Sequence, residues 1–146
     1  MASFVFNIAL GRERTFAELG AANDALLAIP VEASGVESDA TLRDKDDVAA
    51  FFSGATNEQT TMGRVTLTNV TVTVDDTNDR VNIDCDDIVW SGATGNAIGD
   101  ILIAYDSDTT GGTDANIVPL SLHDFAATPD GTTITATVSD FCRPTG

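Results

Sequence analysis

Residues 98–105 read IGDILIAY, and the five positions from Ile101 to Tyr105 are all apolar. A strand with one wet face alternates apolar and polar side chains, whereas a strand without that alternation is covered on both sides. The stretch therefore predicts a central strand with protein packed against both faces.

On either side of it the chain reads as more strands separated by turns. Upstream, VNIDC (81–85) keeps Val81, Ile83 and Cys85 in phase, and the doublet Asp86-Asp87 shifts the phase before Ile88 and Trp90. RVTLTNVTVTV (64–74) alternates too, but its apolar set passes from odd positions, Val65 and Leu67, to even ones, Val70, Val72 and Val74. A β-bulge near Asn69 would account for that shift. Downstream, IVPLSL (117–122) contains Pro119, which argues for a partial edge. TPDGT (128–132) is a turn, and TITATV (133–138) turns Ile134, Ala136 and Val138 inward. About six short strands at turn-punctuated spacing, with threonine on their outer faces, predict an antiparallel β-sandwich or jelly-roll-like domain over 64–146.

Residues 1–63 read differently, as a strand-plus-short-helix segment packed on, or projecting from, that domain. SFVFNIAL (3–10) has strand period, with Phe4, Phe6, Ile8 and Leu10 on one face. Thr15 and Glu18 form a capping-box pattern closed by Gly20. ALLAIPVEAS (25–34) is extended and broken by Pro30, which suggests an edge. A second helix is capped by Ser38 or Asp39 and carries Asp44, Asp46 and Asp47 in its first half. It shows an apolar face of Val48, Phe51 and Phe52, and ends at Gly54.

Charge narrows the function classes. The chain has 146 residues, with 23 acidic against 7 basic, for a net charge of −16. Nucleic acid and anionic membrane are bound through Lys and Arg that displace counterions, so neither is an expected partner. No apolar run reaches membrane-spanning length, and MASFVFNIALGRER has no secretory pattern, so synthesis in the cytoplasm is expected, with retention there or exit by a route that needs no signal peptide. Cys85 and Cys142 fit no zinc spacing and read as small buried apolar residues, or as a bridge under oxidising conditions.

Candidate chemistry is sparse. YDSDTTGGTDAN (105–116) matches part of a calcium-loop template, with Asp106, Asp108 and Asp114 as oxygen donors for a Ca²⁺-type ion. The template's closing glutamate position is Ile117, and the flanks are strand-like. A solvated hairpin tip is the other reading. Asp75, Asp76 and Asp79 in DDTNDR offer a second carboxylate cluster, read as a cation site or a polar turn; an acid–base pair there would lack an aromatic groove. Ser121 and His123, two apart on a strand, share a face beside Asp124, but no nucleophile elbow or oxyanion loop accompanies them. Asn69-Val-Thr is a glycosylation sequon. No catalytic set and no bound cofactor are expected.

Several stretches together resemble a known group. FNIALGR (6–12), ATLRDKDDVAAFF (40–52), NEQTTMGR (57–64), VTVTVDDTNDRVNID (70–84), YDSDTTGGTDANIVPLSLHDFAATPDGTTITA (105–136) and FCR (141–143) resemble small virion structural proteins of tailed viruses, especially phages of high-GC actinobacteria. The two cysteines and the extreme acidity depart from the usual pattern. The resemblance implies a non-enzymatic capsid decoration or minor capsid protein, with a tail, neck or fibre appendage of adhesive, lectin-like role as the alternative. It also implies the major capsid protein or other virion proteins as partners, self-association as a trimer or lattice, and localisation in the virion.

Overall fold

A computed structural model describes residues 2–145. In chain order its strands are β1 (Phe4–Val5), β2 (Ala25–Glu32), β3 (Val65–Thr66), β4 (Thr71–Asp75), β5 (Arg80–Asp84), β6 (Ile88–Trp90), β7 (Ile98–Asp106), β8 (Ile117–Ala127) and β9 (Ile134–Ala136). Three short α-helices, α1 (Glu13–Ala17), α2 (Asp39–Arg43) and α3 (Val48–Phe51), lie between the first three strands. Turns of 3-10 helix occupy Asn7–Ala9, where the sequence suggests continued strand, and Asp114–Asn116. The protein is mainly β and its strand pairs are antiparallel. A five-stranded sheet has the order β1-β8-β7-β2-β3, and β4-β5 and β6-β9 form two-stranded sheets. The sheets are short and do not close on one another.

The expected central strand is β7, held between β8 and β2. Its alternate side chains enter two cores. Leu102 and Ala104 face Leu42, Val48 and Phe51 of the helical segments, together with Phe4 and Phe6. Ile101 and Ile103 face Ile83, Ile88, Trp90 and Ala136 of the small sheets, together with Phe16. Both faces are dry, so β7 has no need of polar alternation. The Trp90 indole N–H donates to the Gly63 carbonyl at 3.0 Å, which satisfies its one donor inside the core.

β2 departs from its sequence reading. It lies inside the sheet, with the residues from Ala25 to Val31 all buried. Pro30 is tolerated because its carbonyl accepts from the Gln59 N–H at 2.9 Å. Its ring nitrogen faces that same side, away from β7 and past the end of β3, which pairs only with Leu27 and Ala28. Pro119 obeys the same logic: β1 pairs with β8 only at Ser121 and Leu122, leaving Pro119 beyond its end. Residues of both expected segments, 1–63 and 64–146, thus share one sheet, and Phe4 and Phe6 are core residues at 7% and 0% exposure.

The helices are shorter than the sequence suggests. α1 begins after Arg12 without a side-chain cap, so Thr15 lies within it, and Leu19 at φ +48° rather than Gly20 turns the chain out of it. The second predicted helix is two. Ser38 caps α2 by accepting from the Thr41 N–H, and Asp47 caps α3 by accepting from the Ala50 N–H at 2.7 Å. Asp44 and Asp46 lie between them. An aspartate accepting an amide hydrogen bond outside the helix is more stable than one within it, so the acidic run starts a new helix instead of extending the old one.

No bulge occurs at Asn69. The phase shift marks a change of sheet: β3 joins the large sheet and β4 the small one, with Asn69 at φ +51° between them. The Asn69 amide donates to Asp86 at 2.6 Å, fixing the corner. The register breaks lie elsewhere: β8 carries an extra residue opposite Ile103/Ala104 and opposite Ile98/Asp100 of β7, and β7 carries one opposite Val31/Glu32 of β2.

Candidate functional site

The acidic loop joins β7 to β8 as a hairpin tip, and the carboxylates of Asp106 and Asp108 are engaged locally. Asp106 Oδ1 accepts from the Asp108 N–H at 3.0 Å, and Asp108 Oδ1 accepts from the Thr110 N–H at 3.0 Å and from its hydroxyl. Those Thr110 bonds hold the Asp108 carboxyl below the usual carboxylate range. Thr109 ties the loop to the turn before β2, its N–H and hydroxyl both donating to the Asn23 carbonyl at 2.9 Å.

Asp114 points elsewhere. Its two oxygens accept from Arg64 Nη1 and Nη2 at 2.8 and 2.9 Å, while Glu58 accepts from Nε and Nη2 at 2.8 and 2.7 Å. One guanidinium thus clamps two carboxylates from distant parts of the chain, a geometry that its planar fork suits. The clamp raises the Arg64 pKa and lowers that of Asp114. Asp106, Asp108 and Asp114 are therefore not gathered around a common point. Among the described residues no three His, Cys, Asp or Glu side chains are placed to hold a metal ion. The second acidic cluster is likewise a turn: Asp75 accepts from the Asn78 N–H and amide and pairs with Arg80 at 3.1 Å, and Asp79 adopts φ +50°.

Ser121 and His123 do meet. The Ser121 hydroxyl and His123 Nε2 are 2.8 Å apart on the face of β8 that looks toward β6 and β9. His123 lines two adjoining clefts of about 310 and 220 Å³. The Phe141 ring stands edge-on to it between them, with centroids 6.4 Å apart. Burial lowers the His123 pKa, which favours the neutral ring. A hydroxyl on a neutral imidazole is half of an acyl-transfer device, which also needs an acid on the other ring nitrogen and donors for an oxyanion. Among the described residues no carboxylate hydrogen-bonds to that nitrogen, and Ser121 is only 3% exposed. As it stands, the pair satisfies two polar groups beside the core.

The cysteines are free thiols. Burial pushes both up to about 11, with Asp84, Asp86 and Asp87 adding to the effect at Cys85 and Glu13 at Cys142. Both are therefore protonated and weakly nucleophilic at neutral pH.

The wider electrostatic pattern was not foreseen from the sequence. All seven basic side chains are engaged within the chain. Arg14, Lys45, Arg64, Arg80 and Arg143 pair with Glu18, Glu37, Glu58 and Asp114, Asp75 and Asp140. Arg12 and Arg43 stack over the rings of Phe16 and Phe4, 4.6 and 4.3 Å from the centroids. The i,i+4 spacing of Arg14 and Glu18 is readable in the sequence; the longer pairings are not. No described helix is long and apolar enough to cross a membrane. No protein-family model, curated protein or solved structure matches the chain.

Proposed function

We propose that this protein is a non-enzymatic structural component of a tailed-virus particle, seated on the outer surface of the shell as a decoration or minor capsid protein. The observation that carries the reading is the engagement of every Lys and Arg within the chain, which leaves no basic patch on a chain of net charge −16. Packaged nucleic acid repels such a surface, while a solvent-facing position on a shell accommodates it. The resemblance of stretches spread along the chain to virion proteins supports the same reading. So does the internal bonding of the acidic loop, which suits a rigid surface tip.

In this reading the five-stranded sheet and the short sheets facing it across Trp90, Ile101 and Ile103 are the two leaves of an open sandwich. Attachment then uses exposed surface rather than β1, because Phe4 and Phe6 are committed to the core.

The test is mass spectrometry and immunogold labelling of density-banded particles from a virus carrying this coding sequence. Labelling over the shell in many copies supports the proposal. Labelling confined to tail or fibre overturns the shell placement in favour of an appendage, and absence from banded particles overturns the viral reading.

A further inference from the structure

The β4–β5 layer ends in an open strand edge. Ile83 exchanges backbone hydrogen bonds with Cys142 at 2.9 and 3.4 Å, and the Val81 N–H donates to the Pro144 carbonyl at 3.0 Å. The odd residues of β5 therefore face the C-terminal segment, and Arg80, Asn82 and Asp84 face β4. Their register partners are Asp75, Thr73 and Thr71, whose N–H and C=O groups point inward. Val72 and Val74 must then direct theirs outward, and no backbone group among the described residues meets them there.

We propose that this edge pairs antiparallel with the same edge of a second copy of the chain, with Val72 opposite Val74 of that copy and Thr73 on the two-fold axis. The register is self-complementary. The outward groups lie two residues apart, so one two-fold rotation brings both Val72–Val74 pairs into hydrogen-bonded positions. The side chains agree. Val74 is 52% exposed, and cross-strand Val72 of the second copy covers it.

Charge also favours a second copy at this edge. The stretch from Thr68 to Val74 carries no charge on a chain of net −16, and Asp75, the one acid of β4, is held by Arg80 and falls opposite Thr71. No carboxylate meets another across the axis. Natural edges are guarded by Lys, Pro or very short length. The outer strands β1 and β3 have two residues each, whereas β4 has five and neither Lys nor Pro. This pairing goes beyond the viral reading and is tested on the purified chain without particles, so either can fail alone.

Sedimentation equilibrium of the full chain should show a dimer at micromolar concentration. Val72→Pro removes an outward N–H that the monomer does not use, and should weaken the dimer at least tenfold with an unchanged circular dichroism spectrum. Thr73→Cys treated with oxidised glutathione should give a covalent dimer on a non-reducing gel, because Thr73 faces its own copy. Thr71→Cys, on the same exposed face but off the axis, should not. If Val72→Pro does not fold, the two cysteine variants decide. A monomeric parent chain, a dimer indifferent to Val72→Pro, or equal cross-linking at positions 71 and 73 would overturn the proposal.

Discussion

β7, built on Ile and Leu, and β4, built on alternating Thr and Val, are both strands, yet they live in different surroundings. β7 has a strand on each side and a core on each face, and Leu102 and Ala104 are wholly buried. β4 has β5 on one side only, and its burial runs from exposed to half-buried. The contrast teaches that strand formation and strand stabilisation are separate matters. Alternating Val and Thr suffice to make β4 extended; what β7 adds is the apolar area removed from water on both faces.

The most severe way to break this comparison is to place a charge in each strand. Ile103→Asp buries an unpaired carboxylate and should abolish folding, a loss of several kcal/mol. Thr73→Asp, on the exposed face of β4, should change the stability of the monomer by about 0.5 kcal/mol or less, its cost falling on the pairing of two copies instead. Equal melting curves for the two variants would end the distinction.

A second substitution asks whether the helical cover matters as much as the strand. Phe51 is fully buried against Phe6, with ring centroids 5.7 Å apart and edge-on. Phe51→Ala should cost about 3–5 kcal/mol in urea unfolding. A cost below that of Val81→Ala, in the half-buried layer, would show that the helices are a loose covering.

The Arg64 clamp gives a smaller effect with a pH signature. Arg64→Ala should cost about 1–2 kcal/mol at neutral pH, reduced by the 43% exposure of the Asp114 side chain. The folded-state pKa of Asp114 is lowered, so its share of the stabilisation is fully present above the ordinary carboxylate value of about 4. It is lost as pH falls through the lowered value. The parent and Arg64→Ala should therefore converge in acid. A gap that stays constant down to about pH 2 would assign the clamp no ionic share.

The smallest expected effect is at the hairpin tip. A few millimolar Ca²⁺ should raise the melting temperature of the parent and of the Asp106→Ala/Asp108→Ala double variant equally, by screening the net negative charge. A shift seen only in the parent would mean that the loop chelates.

Legibility followed range. The two-sided burial of 98–105, the Ser121–His123 contact two residues apart, and the partial edge at Pro119 were accessible because strand period and the missing proline N–H act locally. The same missing N–H at Pro30 suggested an edge, whereas β2 lies inside the sheet. The break between α2 and α3 was written in Asp47 but was masked by the helix-compatible apolar positions after it. At Asn69 a phase shift has two physical origins, a bulge or a change of sheet, and local pattern does not distinguish them. Arg64 and Asp114 lie 50 residues apart, so their hydrogen bonds had no periodic signature at all.

By itself the sequence determined which side chains need cover, where the chain must turn, and that the surface is acidic, since each follows from a residue's own solvation or backbone freedom. Only the tertiary structure decided what supplies the cover: helical segments on one face of β7, small sheets on the other, and, among the described residues, no backbone partner along the outer edge of β4. The same decision drew β1 and β2 into the large sheet and turned Asp114 from the loop toward Arg64. Burial is a demand that any apolar partner of the right shape can meet, and the choice among partners rests on long-range closure and packing.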